Sequence, residues 1–362
     1  MARSISFARS SVSAVAVLTL ISLAATLRAD TLYVSDLGSS IATPVVGAPP
    51  INRGQISKVA PGGIVSTFAV GLPDPTGVAF NPLGDLFVGV EPLTPATSVF
   101  VGAIDEVTPS GKVVPFAKIP GDVDGLVYGS NANLYASVGP STIDRISPGG
   151  IVSVFATLPP MTTAVPSTLP GPTGLTFGPG GDLYVSDYSK NEVFQITPSG
   201  KIAPYAHVPD PEGLAFNKAG DLFVAGTGPV LDPPVANPVG GVTSAVYEVA
   251  PSGVTSIYAA APDSDFLGLE IDSAGNLFAA NSTADAIDLI TAGTVTPYAL
   301  GIDDPRFIAV PPPVVPVISS GDSTGAAPDG ITEVPEPATL GLLGAGALAI
   351  FLRRPKPVSE KL

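Results

Sequence analysis

The chain has no cysteine and no tryptophan, a single histidine, and 16 Lys+Arg against 31 Asp+Glu in 362 residues. Without cysteine there is no disulfide and no thiolate chemistry, so the fold must stand on packing alone. One histidine, His207, leaves no Ser-His-Asp set to read, because a triad needs an imidazole placed by a carboxylate. Lying in a connection ahead of Glu212, it reads as a solvated loop side chain. The acid excess gives a formal net charge of −15, which argues against nucleic acid and anionic lipid as partners and suits solubility or cation binding. No phosphate-cradling loop is present, since Gly178-Pro179-Gly180-Gly181 joins two alternating apolar runs as a hairpin turn rather than a strand to a helix. Long apolar runs are missing from the body of the chain and confined to its two ends.

What the body contains is a repeat. Residues 174–206 read as four short apolar runs bounded by turn residues: Gly174–Phe177, Asp182–Ser186, Val193–Thr197 and Lys201–Ala206. Runs of this kind are strand signals, and four in succession predict an antiparallel meander. The first-strand glycine recurs at Gly77, Gly125, Gly174, Gly213 and Gly268, each followed by Val or Leu. The second strand recurs as Asp85-Leu86-Phe87-Val88, Asn133-Leu134-Tyr135-Ala136, Asp182-Leu183-Tyr184-Val185, Asp221-Leu222-Phe223-Val224 and Asn276-Leu277-Phe278-Ala279. The third-to-fourth hairpin turns on Pro61-Gly62-Gly63, Pro109-Ser110-Gly111, Pro148-Gly149-Gly150, Pro198-Ser199-Gly200, Pro251-Ser252-Gly253 and Ala292-Gly293.

One second strand, Leu32-Tyr33-Val34-Ser35, lies at the beginning without a first strand, and one first strand, Phe307–Val310, lies at the end without a second. Joining them completes a sixth unit. The expected fold is therefore all-β: a six-bladed β-propeller of four-stranded antiparallel blades, spanning 30–310, with the ring closed by N- and C-terminal strands in one blade. Ring closure removes the long sheet edge that an open array would expose, and four-stranded repeats of roughly 40–50 residues are a propeller's period.

The ends read as targeting segments. Residues 1–29 carry Arg3 and Arg9, an apolar run from Val12 to Ala25, and Leu27-Arg28-Ala29. This is the pattern of a signal peptide cut after Ala29. Its removal takes away Arg3, Arg9 and Arg28 and no acid, moving the net charge from −15 to −18. Residues 311–334 are rich in Pro, Gly and Ser and read as a linker. Pro335-Glu336-Pro337 then precedes an apolar run and Arg353-Arg354. The stretch Ala338–Leu352 is 15 residues, which at about 1.5 Å each is short for a transmembrane helix and crosses only with local thinning. Its arginine pair belongs on the cytoplasmic side, with 355–362 as a basic cytoplasmic tail.

This end resembles the PEP-CTERM sorting signal of bacterial envelope proteins. The resemblance implies recognition by an exosortase, cleavage near Pro335-Glu336-Pro337, and delivery outward, often in bacteria that make extracellular polysaccharide.

In a four-stranded blade, first-to-second and third-to-fourth turns share one face of the disk. These are uniformly tight here, as in Asn81–Gly84 and Asn217–Gly220, and Asp182 and Asp221 read as turn formers. The long insertions, Asp36–Gly54, Val90–Ala103, Thr157–Thr173 and Gly226–Ser244, all belong to the other face. Recognition is usually placed on such loops. At the channel mouth on that face stand Thr76, Asp124, Thr173, Glu212, Leu267 and Arg306, with Asp36, Asp187 and Asn281 opening toward the same side. Converging oxygens of Asp124, Glu212, Asp36, Asp187 and Asn281 are candidate ligands for Ca²⁺ or a similar hard cation. The competing reading makes Asp36, Asp187 and Asn281 turn caps and pairs Asp124 and Glu212 with Arg306 or water.

The blades resemble NHL-type repeats and the gluconolactonase/regucalcin and streptogramin-lyase propellers through their G-[VL]-x-F…G-[DN]-L-[YF]-V pattern. The lactonases' resemblance implies a channel metal held by Glu, Asn and Asp. Their early Glu-Gly-Pro motif is absent, and this region reads Thr31-Leu32-Tyr33-Val34-Ser35-Asp36. The lyases depend on histidines, and only His207 is present. The preferred expectation is a non-catalytic, envelope-displayed propeller that binds a polymer, such as extracellular polysaccharide, or a protein partner through its looped face. The alternative is a divalent-metal-dependent lactonase or related hydrolase.

Overall fold

A computed structural model of the chain describes residues 30–38, 54–91, 102–160, 170–227, 244–317 and 332–335. The strands form six four-stranded antiparallel sheets. The first blade is β4 (Pro75–Phe80), β5 (Leu86–Val90), β6 (Gly102–Val107) and β7 (Val113–Ile119). The second is β8 (Val123–Tyr128), β9 (Leu134–Val138), β10 (Thr142–Ile146) and β11 (Val152–Thr157). The third is β12 (Pro172–Phe177), β13 (Leu183–Asp187), β14 (Glu192–Ile196) and β15 (Ile202–His207). The fourth is β16 (Leu214–Phe216), β17 (Leu222–Thr227), β18 (Ser244–Val249) and β19 (Thr255–Ala261), and the fifth is β20 (Phe266–Ile271), β21 (Leu277–Asn281), β22 (Ala286–Thr291) and β23 (Thr294–Leu300). The sixth joins both ends of the chain: β24 (Pro305–Ala309) lies inside β1 (Leu32–Asp36), followed outward by β2 (Gly54–Ala60) and β3 (Ile64–Leu72). Tyr33 pairs with Ala309 and Val34 with Ile308, so the ring closes as the permuted repeat requires.

Alternation along the strands sends side chains to both faces of each blade, and both faces are covered by neighbours. The result is six apolar clusters, one at each blade boundary. Aromatic pairs cross several of these boundaries edge-on: Tyr33 with Phe80, Tyr135 with Phe177, and Tyr184 with Phe216. The three phenylalanines are half-buried rather than enclosed, because they stand near the tight-turn end where the boundaries open.

The tight turns are held by their own side chains. Asn81 Oδ1 accepts from the backbone N–H groups of Leu83 and Asp85 at 2.9 Å, and its amide donates to Asp85 Oδ2. Asn217 and Asp221 repeat that arrangement. Asp182 differs: it accepts from Gln195 Nε2 at 2.7 Å and so ties the turn to the third strand.

Beyond β24 the linker is not featureless. β25 (Val314–Val317) and β26 (Thr332–Pro335) pair antiparallel, so the two ends of the expected linker run side by side. The signal peptide, the middles of the four long insertions, and the sorting segment from Glu336 through Arg353 and Arg354 lie outside the described residues. Among the described residues no helix is long and apolar enough to cross a membrane, and the expected helix at 338–352 is outside them.

Candidate functional site

The channel is walled by the six inner strands, and its construction explains the first-strand glycines. At Gly174 a Cβ would lie 2.4 Å from the backbone oxygen of Glu212 in the next blade. At Gly125 it would lie 2.2 Å from the oxygen of Thr173. Inner strands approach more closely than any side chain permits. Serine hydroxyls lock the approach. Ser186 Oγ accepts from Gly174 N–H at 2.8 Å and donates to the Glu212 carbonyl at 2.5 Å. Ser137 does the same between Gly125 N–H and the Thr173 carbonyl.

Several mouth positions are taken up by this joinery. Thr76 donates to the Val123 carbonyl at 2.5 Å, and Thr173 donates to the Pro211 carbonyl at 3.1 Å. Asp36, buried, accepts from Ser57 Oγ and Gln55 Nε2 at 2.8 Å and from Gly38 N–H at 2.9 Å. Asp187, also buried, caps the 3-10 turn Tyr188–Lys190 and pairs with the Lys190 ammonium. Asn281 accepts from the backbone of Asp265 and Ala284 and donates to Ser264 and Asp288. Of the five candidate ligands, these three are engaged as caps and cross-strand ties within their own blades.

Asp124 and Glu212 are left facing the axis, joined by acids that the repeat pattern had not singled out. Burial, with Asp122 adding repulsion and Arg306 opposing, pushes the Asp124 carboxyl up to about 6. Burial pushes Glu212 to about 8, with Asp124 and Asp265 raising it, and Arg306 and the Thr173 hydroxyl opposing. Glu91, just past β5, is raised to about 7 by burial and by Asp122, Asp124 and Asp74, again against Arg306. The mouth is thus a group of crowded carboxyls around one arginine. Arg306 hydrogen-bonds Asp304 at 3.1 Å, while its buried Nε, like Asp122 Oδ1, has no hydrogen-bond partner among the described residues.

A signal for the added acids does exist. Two residues before each mouth position the chain reads Asp74, Asp122, Gly171, Asp210, Asp265 and Asp304, an acid in five blades of six. Asp74, Asp210 and Asp304 adopt positive φ, so the repeat mixes turn geometry with charge, and sequence alone does not separate the two.

Among the described residues no group of three or more His, Cys, Asp or Glu is placed to hold an ion. His207 is far from the axis, on the outermost strand of its blade, with its side chain 72% exposed and 3.8 Å from Glu192.

Comparison with known proteins adds two findings. The PEP-CTERM protein-sorting motif matches residues 333–354, which implies export, envelope sorting and exosortase processing. No curated protein matches the sequence. Among solved structures, the chain is similar to a gluconolactonase from Xanthomonas campestris (13% identity, TM-score 0.50, 76% of this chain and 87% of that one). It is similar to virginiamycin B lyase from Staphylococcus aureus (20%, 0.46, 65% and 73%). It is also similar to a PQQ-bound aldose sugar dehydrogenase from Streptomyces coelicolor (17%, 0.48, 67% and 83%). The gluconolactonase likeness, at 13% identity and TM-score 0.50, speaks for the fold alone: the chain is a six-bladed propeller, carrying at its C-terminus a PEP-CTERM sorting signal.

Proposed function

We propose that the chain is an exported propeller that binds a polymer or protein partner at the cell envelope through its looped face, without catalysis. The observation that carries this is the state of the channel mouth. Side chains that would make a hydrolytic centre are either tied into the blades (Thr76, Thr173, Asp36, Asp187, Asn281) or crowded around Arg306, and the one histidine lies on the outer edge. The route of the chain supports it too. β24 runs from the looped face at Pro305 toward the tight-turn face, where Pro312 borders the channel. The chain leaves the ring at the tight-turn face, which supports a reading in which the sorting segment tethers that face and the looped face is presented outward. Signal-peptide cleavage after Ala29 and a short span at 338–352 complete this reading.

The alternative, a divalent-metal hydrolase of the lactonase kind, draws on one observation: the raised carboxyls of Asp124, Glu212 and Glu91 are what a cation would relieve. One experiment separates the two. The purified full chain is assayed for retention on matrix polysaccharide from an exosortase-bearing host and for lactone hydrolysis with and without chelator. Retention that is lost when 161–169 and 230–241 are shortened, with no hydrolysis, is expected. Chelator-sensitive turnover would overturn the binding reading in favour of the hydrolase.

A further inference from the structure

The tight-turn half of the channel, on the far side of the ring from the acidic mouth, is a cavity of about 440 Å³. Small-molecule sites run roughly 300–1,000 Å³. Its walls come from the inner strands of all six blades and are mostly apolar, with Phe80, Tyr128, Leu214 and Phe307 among them. Each inner strand has a sheet neighbour on one side only. Among the described residues no lysine or arginine borders the cavity, and one carboxyl does: Glu270.

Glu270 is out of pattern. The second residue after the first-strand glycine, or its equivalent in β24, is Ala79, Val127, Thr176, Ala215, Glu270 and Ala309 around the ring. Five blades place a small or apolar side chain here; Ala79, Ala215 and Ala309 lie in the boundary clusters. Only the fifth blade places a carboxyl, paired across the sheet with Phe278. Its proton is held to about pH 8 by burial, against the Ile271 backbone and with Asp272 adding. Packing does not ask for this residue, and half-burying a carboxyl without a cation costs stability.

We propose that the tight-turn half of the channel binds a small primary amine with an apolar body, its ammonium seated on Glu270. A cation is the ligand group that offsets the cost of this half-buried carboxyl, through a charge-assisted hydrogen bond at an apolar wall. The aromatic and aliphatic walls take the remainder of the molecule. A polyol fits less well, since Asn81, Ser130, Thr176 and Tyr128 are the other polar side chains at hand.

Benzylamine, benzyl alcohol and benzoate serve as probes, titrated calorimetrically into the full chain in mild detergent at neutral pH. Benzylamine is expected to bind one saturable site at least about tenfold more tightly than either isostere. Glu270→Gln removes that preference. Glu270→Ala, which copies three of the other five blades, removes it as well while melting higher than the parent. Two results would overturn the proposal: no saturable benzylamine binding at about 10 mM, or unchanged affinity in both Glu270 variants. Loss of binding in Asp124→Asn with the Glu270 variants unaffected would move the amine to the looped face and also overturn it.

Discussion

Glu212 and Asp187 are both acids at the ends of blade strands, yet they live differently. Asp187 is saturated by the Tyr188–Lys190 turn and the Lys190 ammonium. Glu212 faces like charges and carries a raised proton affinity. Sequence placed both near the axis but could not separate them, because the deciding partners come from a local turn in one case and from neighbouring blades in the other. The first-strand glycines were legible as markers, while their cause, a carbonyl of the next blade, was not. Gly174→Ala must push Cβ into the Glu212 oxygen and is expected to cost about 1–3 kcal/mol or more, read from urea unfolding; a neutral effect would contradict the close approach. Phe177 is half-buried against Tyr135, so Phe177→Ala is expected to lose about 2–3 kcal/mol, less than a fully enclosed phenylalanine.

At the scale of strands and turns, periodicity carried almost everything. Alternating runs, Pro-Ser-Gly hairpins and the displaced second strand at 32–35 were enough to place all six blades, because each blade is a local meander. What the pattern lacked was the joinery between blades. Ser186 looks like an ordinary small residue after Leu183-Tyr184-Val185, yet it bridges Gly174 N–H and the Glu212 carbonyl. Ser186→Ala leaves both groups short of a partner and is expected to cost about 1–3 kcal/mol, with faster amide exchange at Gly174 as the local readout. A packing change on an outer strand, such as Ile202→Val in β15, would not produce that signature. The β25–β26 ladder was not legible either, since a Pro- and Gly-rich stretch has no strand period to read.

The whole molecule concentrates raised carboxyls along its axis: Asp124 near 6, Glu91 near 7, Glu212 and Glu270 near 8. Unfolding returns each to about 4. Between those limits the folded chain binds more protons than the unfolded one, so stability falls as pH rises from about 4.5 to about 8 and levels off above. Melting temperature followed from pH 5 to 9 is expected to decline over that window. Arg306→Met removes a cation that opposes the shifts of Glu91, Asp124 and Glu212, and should steepen the decline.

Channel, mouth and tether all take their positions from one junction, where residues near the two ends of the chain share a sheet. Val34 and Ile308 are direct partners there; antiparallel partners are roughly 4.5–5.5 Å apart at Cα, within disulfide reach. The chain has no cysteine, so Val34→Cys with Ile308→Cys reports this pair alone. Oxidation of the folded double variant should give an intramolecular disulfide and a higher urea midpoint. Free thiols, or only intermolecular bridges, in the folded protein would contradict the closed ring.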